Sequence, residues 1–120
     1  MSIEQVSFSK PDDVRSFNNG QVEFVHIGDK TLARSKFEPG WKWSNDLKPI
    51  VKTDSCQMLH SGVCISGHLR VEHEDGTAVD LKAGDAYVVQ PGHDAWVVGD
   101  EPYVAVDWAP RAGDFAKPAK

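Results

Sequence analysis

The stretch from residue 84 to residue 96 decides the fold of this chain: Gly-Asp-Ala-Tyr-Val-Val-Gln-Pro-Gly-His-Asp-Ala-Trp. It opens with a Gly84-Asp85 turn, continues through the apolar run 86–89, and turns again at Pro91-Gly92 into a second run at 95–98. Gly and Pro favour tight turns, whereas runs rich in Val and aromatic residues favour strands. The stretch therefore predicts two consecutive strands joined by a short turn.

The same pattern of short strands and turns extends on both sides of this stretch. Polar and apolar residues alternate through 67–73, and a Glu74-Asp75-Gly76 turn leads to a further strand at 78–81. Other short runs of this kind lie at 21–27, 31–37 and 103–108. Strands spaced about 8–12 residues apart, with turn residues between them, are typical of sandwiches and barrels. The sequence predicts an all-β fold, a single-domain antiparallel β-barrel or jelly roll with little helix.

The chain of 120 residues has the length of one domain, so residues 1–120 are predicted to form a single unit. Its barrel core is expected at about 21–108. Residues 109–120 are expected to form a flexible tail, or one that packs through Phe115 alone. Near the start, residues 10–14 combine a proline with acidic residues, which predicts one helical turn.

Composition excludes several classes of function. Thirteen Lys and Arg against 18 Asp and Glu give a net charge of -5, which argues against a nucleic-acid partner. No apolar run is long enough to span a bilayer, and the first residues do not resemble a secretory signal, so no membrane partner is expected. Two cysteines are too few for a disulfide framework. A reduced, cytoplasmic protein is the expectation.

Two segments resemble the conserved motifs of the cupin superfamily. The stretch 84–96 resembles the second motif, with its Gly-Asp turn, apolar strand and Pro/Gly turn. Upstream, residues 60–67 (His-Ser-Gly-Val-Cys-Ile-Ser-Gly) resemble the end of the first motif, and the hairpin 67–84 fits the spacing between the two. The resemblance covers roughly 37–108. It implies a small single-domain cupin barrel.

The metal-ligand positions of the cupin motifs are altered in this sequence. Cupins usually carry a His-x-His pair and a Glu in the first motif and a third His in the second. The corresponding positions here hold Asp54, Cys56 and His60, and the position of the third His holds Ala95. The resemblance therefore implies a barrel that lacks the usual His-x-His metal pair.

Four side chains remain as candidate metal ligands: Asp54, Cys56, His60 and His93. Thiolate and imidazole suit zinc, iron or nickel. In a straight strand Cys56 and His60 lie about 13 Å apart, so a shared ion requires a bend in a segment without Gly or Pro. The alternative is that Cys56 is a small core residue, His60 a hydrogen-bonded interior residue, and His93 a residue of the turn.

Tryptophan is abundant, with four in the chain. Alternation places Trp41 and Trp43 on one face of an extended segment. Because small-molecule pockets have aromatic walls, Trp43 and Trp96 are predicted to contact a bound ligand or cofactor, and Trp108 to lie in the core. Core packing or a dimer interface is the alternative role for these residues.

The leading hypothesis is a small-molecule-binding cupin barrel. It includes a divalent-metal-dependent enzyme acting on a small polar organic substrate, with His60 and Cys56 as catalytic candidates. The alternative is a ligand-binding or sensing cupin without a metal. A third hypothesis is a metal-free Cys56 nucleophile activated by His60, which requires side-chain contact. Whether the protein is an enzyme stays open. A homodimer is expected, since small cupin barrels commonly pair their sheets and an exposed edge strand favours pairing.

Overall fold

The computed structural model describes residues 2–119, which form nine strands in two antiparallel sheets. The strands are β1 (Asp13–Phe17), β2 (Gly20–Ile27), β3 (Lys30–Phe37), β4 (His60–Ser66), β5 (His68–His73), β6 (Ala78–Lys82), β7 (Ala86–Val89), β8 (His93–Val97) and β9 (Tyr103–Asp107). One sheet has the order β1-β2-β3-β9-β4-β7 and the other the order β6-β5-β8. The predicted all-β antiparallel fold is confirmed.

Alternation along the strands decides which side chains face the interior. In β9, Tyr103, Ala105 and Asp107 are buried, whereas the residues between them are only partly covered. In β8, the first, third and fifth residues are buried in the same way. Successive side chains of a strand point to opposite faces of the sheet. The two sheets therefore enclose a common interior, which is largely apolar, with a few polar groups on β3, β4, β7, β8 and β9.

The helices are short, and the sequence analysis did not predict a helix in these segments. Two short helices, α1 (Trp43–Asp46) and α2 (Lys48–Val51), follow each other between β3 and β4. A single 3-10 turn covers Ala112–Asp114. In the part of the chain from 2 to 119, no helix has the length and apolar character needed to cross a membrane.

The helical turn predicted at 10–14 is wrong. Residues Asp13 and Val14 begin β1, which pairs with β2 from Asp13 opposite Phe24 to Phe17 opposite Gly20. Backbone hydrogen bonds to the neighbouring strand outweigh the weak local preference for a helical turn.

The segment after β9 packs against the barrel. Phe115 is buried, as the packed alternative required, and Ala112 and Ala116 are buried with it. Arg15 Nη1 donates a hydrogen bond of 2.6 Å to the Phe115 carbonyl oxygen. The segment therefore covers one side of the barrel interior through more than Phe115 alone.

Candidate metal centre

Three of the four predicted ligands meet inside the barrel. One potential ligand atom from each of Cys56, His60 and His93 lies within 4.8 Å of the others. Cys56 Sγ is 3.6 Å from His60 Nε2, and the centroids of the two imidazole rings are 5.2 Å apart. Side-chain contact between Cys56 and His60, which both the metal and the nucleophile hypotheses needed, is therefore present.

Cys56 and His60 meet although they do not belong to one strand. Cys56 is not part of β4. It forms an isolated bridge with His93, in which Cys56 N donates to His93 O at 2.8 Å and Gly92 N donates to Cys56 O at 2.7 Å. Residues 57–59 belong to no strand, and His60 begins β4. The separation of about 13 Å expected for a straight strand does not apply, because these residues are not in one strand.

His93 begins β8 with its side chain facing the interior. It is 4% exposed, so the alternative of a turn residue at the surface is wrong. Gly92, at φ +99°, turns the chain just before it, and β8 continues inward at Ala95. His93 stands two residues before the position of the usual cupin histidine. Its backbone pairs with that of Cys56, which lies directly opposite it in the isolated bridge.

Both imidazoles are oriented by a hydrogen bond at Nδ1. His60 Nδ1 lies 2.7 Å from Asp107 Oδ2, and His93 Nδ1 lies 2.8 Å from the Gln90 carbonyl oxygen. A histidine that uses Nδ1 in this way has Nε2 free to bind a metal, and such partners are typical of metal-ligating histidines.

Asp107 contacts this cluster, and the sequence analysis did not predict it. Its carboxylate is buried and also accepts hydrogen bonds from the backbone nitrogens of Ser61 at 3.3 Å and Ala109 at 3.0 Å. Its alternation with Tyr103 and Ala105 marks it as an acid on the inward face of the last strand. That position was the available signal, but it does not reveal the histidine partner.

The environment shifts the pKa of Cys56 and of His60 in opposite directions. Burial acts to raise the pKa of the Cys56 thiol, but hydrogen bonds to His60 and His93 and their positive charge lower it to about 6. Burial acts to lower the pKa of His60, but hydrogen bonds to Asp107 and Cys56 raise it to about 9. The cluster therefore favours the thiolate of Cys56, which is the form of cysteine that binds metals.

A cavity of about 50 Å³ adjoins the cluster inside the barrel. Its walls are largely apolar, and its polar lining consists of Ser35, His60, Tyr87, His93, Tyr103 and Asp107. Cys56 does not line it. A cavity of this size holds a few water molecules or a small organic group.

Asp54 is not part of the cluster, and its prediction as a ligand is wrong. Its side chain is fully exposed and forms an ion pair with Lys48 at 3.9 Å. Lys52 ends α2 in the left-handed conformation at φ 60°, and the chain returns to the barrel only at Ser55 and Cys56. Asp54 therefore lies on the surface beside the helix.

The structure also places the tryptophans differently from the sequence predictions. Trp43 is buried in the core and does not line the cavity, because it begins α1 and no longer alternates with Trp41. The side chain of Trp96 points away from the barrel interior, and Lys42 Nζ lies 5.0 Å from the centroid of its ring. Trp108, predicted to lie in the core, is 47% exposed. Trp41 is the tryptophan that lines the cavity, stacked on Phe37 at 3.8 Å.

Comparison with known proteins shows which solved structures this fold resembles. No family model and no curated protein matches the sequence. Solved structures do match. A cupin-like protein from Thermotoga maritima is 18% identical with a TM-score of 0.55, covering 87% of this chain and 77% of that chain. A protein with a double-stranded β-helix domain from Klebsiella pneumoniae is 22% identical with a TM-score of 0.58, covering 90% of each chain. The chain therefore has a fold similar to that of cupin-like proteins.

A third structural neighbour extends the likeness. A cupin domain from Bordetella pertussis is 18% identical with a TM-score of 0.51, covering 75% of this chain and 91% of that chain. The resemblance based on the two sequence motifs is therefore confirmed for the fold of this cupin-like domain. Since a shared fold does not determine function, the chemistry of the site has to be argued from its own residues.

Proposed function

We propose that this cupin-like domain holds a divalent transition metal through Cys56, His60 and His93 and binds a small organic ligand in the adjoining cavity. The observation that carries the proposal is the convergence of the three ligand atoms within 4.8 Å, with both imidazoles oriented through Nδ1. Zinc, iron and nickel are the candidates, because thiolate and imidazole suit all three.

The distance between one pair of donors fits such an ion. Two ligands at a tetrahedral angle, with bonds of about 2.3 Å to sulfur and 2.0 Å to nitrogen, lie about 3.5 Å apart. Cys56 Sγ and His60 Nε2 are 3.6 Å apart. Three protein ligands and one open position are usual for catalytic metal sites. Since His60 and His93 line the cavity, a ligand bound there would lie beside the metal that these residues would hold.

The surrounding residues prepare this site in three ways. Asp107 accepts a hydrogen bond from His60 Nδ1, and the Gln90 carbonyl oxygen accepts one from His93 Nδ1. Both Nε2 atoms are therefore available to the same ion. The Phe115 ring lies edge-on to His60, with centroids 5.1 Å apart, and the apolar walls limit access of water. When bound, the metal would supply Lewis-acid chemistry to an oxygen of the ligand.

Elemental analysis by mass spectrometry of untagged protein tests the proposal. We expect about one equivalent of zinc, iron or nickel per chain, as one three-ligand site requires. Protein that binds none of these ions, even after dialysis against each in turn under reducing conditions, would contradict it.

A ligand-binding or sensing domain without a metal is the second candidate. The specific observation in its favour is that Cys56, His60 and Asp107 already form a continuous hydrogen-bonded chain, which satisfies these buried groups without an ion. A protein that lacks metal but binds small molecules would support this candidate.

The same chain of side chains has the order of a thiol nucleophile, a base and an orienting acid. We nevertheless expect iodoacetamide to label Cys56 slowly near neutral pH, because Cys56 is 3% exposed and does not line the cavity. Mass spectrometry of the labelled peptide measures the rate, and Cys64, also buried, is the internal control. Rapid labelling of Cys56 that is lost in His60→Ala would instead support a nucleophile.

We also propose that the domain forms a homodimer through the outer apolar face of β4, β7 and β9. This face comprises Val63, Ile65, Val88, Val104, Val106 and Trp108, of which Ile65, Val88 and Trp108 are 53%, 66% and 47% exposed. The six are apolar, and the charged residues Arg34 and Lys36 of β3 lie at the border of this face, beside Val106 and Val104. Because β7 is an edge strand, pairing would also cover its free backbone groups.

Sedimentation velocity tests this interface. The wild type is expected to sediment with twice the mass of one chain, and Ile65→Lys and Val88→Lys to sediment as monomers, because each places a charge in an apolar contact. Val14→Lys, at an exposed apolar position on β1, is the matched control and keeps the wild-type mass. A monomeric wild type, or dimers in all variants, would contradict the proposal. A cytoplasmic location and the absence of nucleic-acid and membrane partners stay predictions from composition.

A further inference from the structure

The segment that follows β9 contributes Phe115 to the wall of the cavity. The Phe115 ring lines the cavity and lies edge-on to the His60 ring, with centroids 5.1 Å apart. Ala112 and Ala116 are buried beside it, whereas Arg111 and the residues 117–119 are exposed. The segment is therefore a single layer of chain, with one side towards the barrel interior and the other towards solvent.

Few hydrogen bonds hold this segment to the barrel. Among the described residues, two of them join 110–119 to residues that are distant in sequence. Arg15 Nη1 donates to the Phe115 carbonyl oxygen at 2.6 Å, and Ala119 N donates to the Ile50 carbonyl oxygen at 3.1 Å. Parts of a protein with few such bonds open at a lower free energy than paired strands do. The segment can therefore separate from the barrel while the sheets stay intact.

The closed position of the segment includes a strained residue. Ala116, directly after Phe115, has a φ of 58°. This left-handed conformation is unfavourable for residues other than glycine, because the Cβ atom lies too close to a carbonyl oxygen. Movement of the segment away from the barrel would release this strain.

A second part of the cavity wall is equally thin but is held more strongly. Val71 and Val89 line both the cavity and a groove of about 270 Å³ that also contains the exposed Val88. Val71 lies in β5, which pairs on both sides, and Val89 lies opposite His60 in the pairing of β7 with β4. Opening at this place requires strands to separate, whereas opening at Phe115 does not.

We infer that residues 110–119 form a lid that opens to admit small molecules to the cavity, with Phe115 as its inner surface and Arg15 as its latch. The role of the lid in ligand entry rests on the proposed function, because the ligand is proposed to occupy this cavity. The movement itself requires neither ligand nor metal. Displacement of Phe115 also enlarges the space beside His60 and His93, since all three residues line the closed cavity.

Modification of the cavity histidines by diethyl pyrocarbonate measures the opening in metal-free protein. The reagent acylates imidazole nitrogens and is too large for a closed cavity of about 50 Å³, so we expect His60 and His93 to react only through the open state. Mass spectrometry of peptides from timed samples gives the rate at each histidine. His26, which is exposed, is the internal reference and is expected to react at the same rate in every variant.

Two substitutions at one position change the strain in opposite directions. Ala116→Gly is expected to slow modification of the cavity histidines about threefold, because glycine adopts the left-handed conformation without steric cost and so favours the closed lid. Ala116→Val is expected to accelerate it about tenfold, because a β-branched residue is strongly disfavoured at this φ.

A second pair of variants tests the latch. Arg15→Met is expected to accelerate modification about tenfold, since it removes a hydrogen bond from a charged donor to the Phe115 carbonyl. Lys117→Ala, at an exposed position of the same segment, is the matched control and keeps the wild-type rate. Cys64 is 1% exposed on β4, so its labelling by iodoacetamide reports unfolding of the barrel and is expected to stay slow in all variants.

Transfer of zinc from loaded protein to an excess of a chelator gives a second readout. Since the ion leaves through the same opening, we expect its release to be slower in Ala116→Gly and faster in Ala116→Val and Arg15→Met. The changes are expected to be in proportion to those in histidine modification.

Equal histidine rates in the wild type and both position-116 variants would overturn the lid. Faster modification in Val89→Ala, with no response at position 116, would place the entrance at the groove and also overturn it. Acceleration that appears only together with fast Cys64 labelling would show unfolding of the barrel in place of a lid. The expected histidine rates in a protein that binds no metal support the lid while the metal proposal fails. Bound metal with unresponsive histidine rates supports the metal and removes the lid.

Discussion

Replacing His60 by alanine is expected to reduce bound metal from about one equivalent per chain to less than about a tenth of that value. His60 contributes Nε2 at 3.6 Å from Cys56 Sγ, and its ring lies next to that of His93. Its loss leaves two donors, which is fewer than structural or catalytic zinc sites use. Elemental analysis after extensive dialysis, with the wild type in parallel, gives the ratio.

Cys56→Ser is expected to have the same effect as His60→Ala for a different reason. The side chain keeps nearly its size, but a serine hydroxyl does not ionise near neutral pH and is a poor ligand for zinc or nickel. Asp54→Ala is the matched control, since Asp54 is a potential ligand in the same segment whose side chain is exposed on the surface. It is expected to retain the full equivalent. Metal retained in His60→Ala, or lost in Asp54→Ala, would show that the ion binds elsewhere.

Asp107→Asn is expected to lower metal affinity by about 10–100-fold, the usual effect of removing a hydrogen-bond partner of a ligating histidine. The carboxylate accepts from His60 Nδ1 at 2.7 Å, so it fixes both the tautomer and the direction of the ring. Asparagine keeps the shape but removes the charge, and its amide nitrogen cannot accept a hydrogen bond. Competition against a fluorescent chelator measures the affinity.

The same substitution is also expected to destabilise the metal-free protein by about 3–5 kcal/mol, because it removes one partner of a buried charged pair. Urea unfolding measures this change in the free energy of unfolding. Asp80→Asn is the control, since Asp80 also contacts a histidine, with His68 Nε2 at 2.8 Å, but this pair lies on the outer surface. Little change in stability or metal affinity is expected there. Equal effects of the two substitutions would show that Asp107 has no special role at the metal centre.

The fold could be predicted from local sequence because its signals are local. Turn residues at Gly84-Asp85 and Pro91-Gly92, with apolar runs between them, indicate strands wherever they occur. The same reasoning failed at 10–14, where pairing with β2 makes a strand of residues that favour a helical turn. Donor chemistry was local as well, since Cys56, His60 and His93 were recognisable as soft metal ligands by residue type.

The sequence by itself thus determined an all-β, cupin-like fold and the residue types of three candidate metal ligands. Only the tertiary structure decided that Cys56, which pairs with His93 in an isolated bridge, and His60, which begins β4, come together. It also showed that the carboxylate beside His60 belongs to Asp107, which is distant in sequence, and not to Asp54. In the cavity wall it showed Trp41 where Trp43 was predicted. The physical reason is that alternation sets the face of a side chain within its own strand. Which side chains meet across the interior depends on pairing between residues far apart in the chain.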